Sequence, residues 1–153
     1  MAIPSNYFEI FGLQPVFNID VSDLKTKYYK ISKLLHPDIK KHDDHLHMPL
    51  SFETVKKGYE TLKNDYTRAK YLNIIEKKNA GTSKTLSNDF LSEILELEDK
   101  IIKCDENEKL KDIKRKLEIR IGDCKSNYKN IEYLNKWKYY ERLLKLLNKK
   151  LKS

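Results

Sequence analysis

Leu24, Tyr28, Ile31 and Leu35 recur at i, i+4, i+7 and i+11, the spacing of one buried face on an α-helix. Asp20 stands where an N-cap is needed, Asp23 favours the helix N-terminus, and Pro37 disfavours helical geometry at His36, so this helix is expected to end near Leu35. Phe52, Val55, Tyr59 and Leu62 repeat at i, i+3, i+7 and i+10 and predict another helix from about Leu50, antiparallel to the first. Before both, NYFEIFGL (Asn6–Leu13) reads as a short amphipathic helix stopped by Gly12 and Pro15. After them, DYTRAKYLNIIE reads as a fourth helix. KKNAGTSKTL, residues 77–86, holds Gly81 and several small polar residues and predicts a linker.

Three longer helices are expected beyond it, over about Ser87–Lys103, Glu106–Tyr128 and Asn130–Lys150, with short connections that favour a three-helix bundle. Their core stripes are Phe90, Ile94, Leu97 and Ile101, then Leu110, Ile113, Leu117, Ile121 and Cys124, then Tyr133, Trp137, Tyr140, Leu144, Leu147 and Leu151. Two of these helices carry a second stripe. Leu91, Leu95 and Ile102 are turned by about 100° from the first seam, and Tyr139, Leu143 and Leu146 lie off the last one. A surface helix of a small bundle does not need so wide an apolar arc. If the two helices are neighbours, their shoulders join into an exposed apolar patch rimmed by Glu93, Glu96, Glu98 and Asp99, and such patches mark partner sites.

The chain has 153 residues, four Gly, four Pro and a net charge of +8, which suits one compact domain or two small helical ones. Residues 1–76 hold 11 Lys and Arg against 10 Asp and Glu, whereas residues 77–153 hold 20 against 13. Two cysteines are too few for a disulfide framework or a zinc ribbon, which favours a reducing compartment. No apolar run reaches the length of a membrane span. MAIPSN holds neither a secretory apolar run nor an Arg-rich presequence, so import into an organelle would need a cryptic or internal signal.

Residues 33–41, KLLHPDIKK, end the lysine-rich helix on His36-Pro37-Asp38. Pro37 fixes its own backbone and restricts His36, so the tripeptide is a stiff corner that displays Asp38 beside a basic face. An amphipathic basic helix, His-Pro-Asp, a loop and an antiparallel helix together resemble a J-domain, over residues 5–76. NYFEIFGL, TLKNDYTRAKYL and FLSEILELEDKI extend the resemblance to the HscB-type co-chaperones of iron–sulfur cluster assembly. Lys56, Gly58 and Asp65 depart from it, standing where that family has Asn, Ala and Pro. The cysteine tetrad of some eukaryotic members is absent, so no zinc is expected.

The resemblance implies an all-α fold with a J-domain hairpin at 5–76, a linker at 77–86 and a client-binding three-helix bundle at 87–151. It implies a co-chaperone and not an enzyme: a protein that docks a DnaK-type, 70-kDa heat-shock chaperone, stimulates its ATPase and delivers the iron–sulfur scaffold protein. Lys25, Lys27, Lys30 and Lys33 would steer the encounter, and His36, Pro37 and Asp38 would trigger hydrolysis. Matching position by position places scaffold binding on Leu91, Leu95, Glu96, Asp99 and Tyr139. Ser92 replaces a larger apolar residue there, and Lys103 stands where an acid is expected. The resemblance also implies a monomer without cofactor, working in a mitochondrion or an organelle derived from one, or else in a bacterial cytoplasm.

Other chemistry is weaker. His42, His45 and His47 lie among Asp43 and Asp44, but in a loop without cysteine, which suits solvation better than a metal. No phosphate-cradling loop, nucleophile elbow or paired-carboxylate motif accompanies them. A rival from another class is nucleic-acid binding through the lysines and aromatics of RIGDCKSNYKNIEYLNKWKYY. Against it, Trp137 and Tyr140 fall on a core stripe. A J-protein serving a different client is the remaining alternative.

Overall fold

A computed structural model of the chain describes residues 5–35, 50–76 and 86–152. His36, Pro37 and Asp38, the loop histidines His42, His45 and His47, and all of the expected linker except Leu86 lie outside the described residues. Among those residues every regular element is helical: α1 (Tyr7–Ile10), α2 (Val21–Leu35), α3 (Phe52–Lys63), α4 (Asp65–Ile75), α5 (Asn88–Lys103), α6 (Asn107–Ser126) and α7 (Ile131–Lys152). They form two compact units, residues 1–76 and 77–153.

In the first unit α1 is shorter than the eight residues NYFEIFGL suggest. Asn6 caps it by accepting from the Glu9 amide (3.0 Å), and the Ser5 amide and hydroxyl both donate to the Glu9 carboxylate. The helix stops at Ile10 because Gly12 turns left-handed, with φ of 64°, and the amides of Gly12 and Leu13 return to the Glu9 and Phe8 carbonyls. Phe8 and Phe11 remain buried. Asp20 caps α2 as expected, accepting from Ser22 and Asp23 amides (3.0 and 3.2 Å). Leu24 and Leu35 are buried, while Tyr28 and Ile31 are half-buried, and the Tyr28 ring stacks on Tyr59 of α3 at 4.1 Å.

α3 begins at Phe52, capped by Ser51. Phe52 itself is 39% exposed, so the buried stripe expected to start there starts at Val55 instead. Gly58 has a steric reason. A Cβ built there would lie 3.3 Å from the Tyr7 ring and 3.4 Å from Phe11, so glycine lets α1 seat directly on the α3 backbone. Tyr7 is held from its other side by stacking on Tyr71 (4.8 Å), whose hydroxyl also accepts from the Tyr7 amide (2.8 Å).

In the second unit Ser87 caps α5, and Phe90, Ile94 and Ile101 are buried. Lys150 of α7 closes its other end by donating to the Ile101, Ile102 and Cys104 carbonyls, which places a cation at a helix C-terminus. Leu110, Leu117, Ile121 and Cys124 of α6 are buried. The seam of α7 differs from the expected stripe. Leu134, Trp137, Tyr140, Leu143 and Leu147 are buried, whereas Tyr133, Leu144 and Leu151 are only half-buried. α7 packs against both α5 and α6, so its buried arc must face two partners, and Leu143 turns inward instead of forming a shoulder. α5 and α6 leave a groove of about 320 Å³ between them, lined by Leu97, Ile113, Leu117 and Tyr140, which is why Leu97 and Ile113 stay partly open.

Candidate partner-binding surfaces

α2 presents its lysines as the spacing predicts. With Leu24 and Leu35 turned inward, Lys25, Lys30 and Lys33 are exposed. The Lys25 ammonium lies 5.9 Å from the centre of the exposed Tyr29 ring. Lys27 is half-buried and paired with Asp23 at 3.1 Å, so its charge is partly answered within its own helix. Three cations thus face solvent on a helix whose other side is fixed by packing.

The corner after α3 was not legible in advance. Asn64 leaves the helix in extended geometry and caps α4, accepting from the Tyr66 and Thr67 amides (2.9 and 3.1 Å). Asp65 opens α4, where a carboxylate is favoured by the helix N-terminus. It also accepts from Arg68 Nη2 at 2.6 Å, which a proline in its place would not do. Arg68 is 3% exposed. It donates Nε to the Phe17 carbonyl (2.6 Å) and Nη1 to the Leu62 carbonyl (2.7 Å), and its guanidinium lies over the Phe17 ring. One side chain therefore joins the end of α3, the start of α4 and the segment before α2.

The second surface lies where α5 meets α7. Phe90 of α5 receives Tyr139 and Tyr140 edge-on, at 5.9 and 5.7 Å between ring centres, which makes the two helices neighbours. Beyond that seam, Leu95 is 64% exposed, Ile102 is 55% exposed and Leu91 is half-buried, all three along one face of α5. On the α7 side the patch is continued by half-buried Tyr139 and Leu146, whereas Leu143, expected on this shoulder, is fully buried. Glu96 and Asp99 are exposed on the outer edge of the patch. The structure thus brings Leu91, Leu95, Glu96, Asp99 and Tyr139 onto adjoining faces.

Two cross-links went unseen in the sequence. Lys103 pairs with Asp99 at 3.1 Å, an i, i+4 contact whose spacing was readable, and Arg142 of α7 reaches Glu98 of α5 at 3.6 Å, which only the packing discloses. Trp137 is fully buried, with its Nε1 donating to Glu141 at 2.9 Å, and Tyr140 is buried beside it. Neither offers a stacking face to a nucleic-acid base, as their place on the core stripe implied. Among the described residues no group of His, Cys, Asp and Glu is arranged to hold a metal, and no described helix is long and apolar enough to cross a membrane.

Comparison with known proteins gives these surfaces a setting. Residues 6–71 match the DnaJ domain. The co-chaperone protein HscB of Buchnera aphidicola is 31% identical over 156 residues, spanning 95% of this chain and 87% of that one. An Arabidopsis thaliana protein named an iron-sulfur cluster co-chaperone protein HscB homolog is 26% identical, over 95% of this chain and 64% of its own length. Among solved structures, chaperone HscB from Vibrio cholerae has a TM-score of 0.74 at 24% identity, covering 94% of this chain and 96% of that one. Human co-chaperone protein HscB has a TM-score of 0.75 at 20% identity, over 97% and 84%. The structural likenesses share the all-α fold. The sequence relationship runs through both units, and the chain belongs to the HscB family of J-domain co-chaperones.

Proposed function

We propose that this co-chaperone stimulates ATP hydrolysis by a DnaK-type, 70-kDa heat-shock chaperone and delivers to it the scaffold protein on which iron–sulfur clusters are assembled. The observation that carries the reading is the apolar patch on α5 and α7. Two large aliphatic side chains, 64% and 55% exposed on one face of a capped helix, are unfavourable in water unless a partner covers them. Leu91, Leu95 and Tyr139 are the anchors of that site, with Glu96 and Asp99 at its edge. A plant relative named for iron–sulfur clusters supports the choice of client.

The other half of the reading rests on the DnaJ domain. Lys25, Lys27, Lys30 and Lys33 supply a positive face that accelerates encounter with an acidic chaperone surface, and rim charges of this kind act on association rate more than on affinity. His36, Pro37 and Asp38 carry the trigger, with the Asp38 carboxylate offered to a chaperone arginine. The chaperone performs the hydrolysis, and this chain supplies contacts only.

A steady-state ATPase assay with Asp38→Ala tests the trigger. Stimulation is expected to vanish while helical content and melting stay those of the wild type, and a folded variant that still stimulates would reject the role. Calorimetric titration with the organism's own iron–sulfur scaffold tests the patch. The wild type is expected to bind, and the variant with Leu91, Leu95 and Tyr139 changed to Ala is expected to lose binding.

A further inference from the structure

The rim of the patch has a charge pattern of its own. On α5, Asp99 is paired with Lys103 and Glu98 faces Arg142, so two acids flanking the apolar stripe are already answered within the protein. Glu96 forms no ion pair among the described residues. On α7, Lys138, Arg142 and Lys145 stand at i, i+4 and i+7, and Lys149 and Lys152 extend the row. All five are exposed, along about 21 Å of helix. The row meets the patch at two of its members: the Lys138 ammonium and the Arg142 guanidinium lie 5.4 and 5.8 Å from the centre of the Tyr139 ring.

We propose that this patch is shaped for a partner segment whose apolar anchors are flanked by carboxylates. The inference rests on the reading of the patch as the scaffold-binding site and names the chemistry of the segment it takes. A basic segment laid over Leu95 and Tyr139 would meet Lys138 and Arg142 at once, with Lys145 next along their row. Of the rim acids Glu96, Glu98 and Asp99, only Glu96 would be open to it, since Lys103 holds Asp99 and Arg142 holds Glu98. An acidic segment meets the α7 row without breaking either pair, and its carboxylates replace water around cations held beside an apolar surface. Charge of opposite sign along the rim fixes the register and suppresses wrong partners. Lys103 acts in the same sense on the opposite edge, where it cancels Asp99 and removes one reason for a basic partner to bind.

The test is calorimetric titration of the full-length chain with the organism's own iron–sulfur scaffold protein. Lys138→Glu with Lys145→Glu leaves every apolar anchor in place, and chaperone stimulation and melting check that the fold survives. This double reversal is expected to weaken binding by about tenfold at low salt, with a deficit that shrinks as ionic strength rises. Lys138→Gln with Lys145→Gln adds no repulsion, and a smaller loss in the same direction is expected from it. Unchanged or tighter binding by the glutamate variant would overturn the inference and leave scaffold binding standing. A wild type that fails to bind the scaffold would overturn both.

Discussion

Cys124 shows how a core position gains chemistry from its surroundings. It continues the α6 stripe and is fully buried, and burial pushes its thiol from 9.0 up to about 11, with Asp123 adding to the rise while Lys136 and Arg120 oppose it. Burial also raises the Tyr140 hydroxyl. A thiol whose folded pKa lies above its unfolded one contributes stability that is intact below about pH 9 and is lost as pH climbs toward about 11. By pH 10 the loss from Cys124 is about 1 kcal/mol. Denaturant unfolding at pH 8 and pH 10 is expected to show the wild type losing that much more than Cys124→Ala across the interval, and equal losses would refute the assignment. Iodoacetamide at pH 8 is expected to label half-exposed Cys104 first and to reach Cys124 only on unfolding. The burial of Cys124 was legible because it repeats at helical spacing. Arg68 was not, because a lone arginine sets no period, and two of its three acceptors are main-chain carbonyls that no side-chain pattern marks.

At the scale of elements, the sequence located each of the seven helices among the described residues, and its errors fall where local spacing meets tertiary contact. α1 is shortened by a left-handed glycine, α3 leaves Phe52 exposed, and α7 turns Leu143 inward because it serves two neighbours. The corner between α3 and α4 is the place where one substitution reaches farthest. Arg68→Met keeps volume and apolar stem but leaves the Leu62 and Phe17 carbonyls without their donor and Asp65 without its cation. The expected cost is about 3 kcal/mol, read as a lower denaturant midpoint with an unchanged slope. Arg68→Lys is expected to recover only part of it, since one ammonium cannot copy a planar fork reaching three acceptors. A loss below about 1 kcal/mol would mean that water replaces the guanidinium at this corner. Gly58 shows the same dependence on packing: in the sequence it is only a departure from the family, whereas the structure shows the Tyr7 ring 3.3 Å from where a Cβ would stand.

At the scale of the molecule, the two surfaces fall on separate compact units, the lysine-rich α2 in residues 1–76 and the apolar patch in residues 77–153. The all-α architecture was readable from spacing alone, because few glycines and prolines interrupt the stripes. The patch was readable only as a wide apolar arc; which of its residues are exposed depends on how α7 divides its faces between α5 and α6. If the proposed function holds, the two surfaces act on different partners and are carried by one chain. Asp38→Ala is then expected to bind scaffold with wild-type affinity, and the Leu91, Leu95 and Tyr139 alanine variant is expected to stimulate the chaperone normally without scaffold. Mixing the two variants should not restore scaffold-dependent stimulation, because delivery raises the local concentration of client at the chaperone only when one chain holds both. An ATPase assay with scaffold present, comparing the mixture with the wild type at equal total concentration, decides the matter. Restoration by the mixture would mean that each surface works alone and that the chain is not a physical bridge.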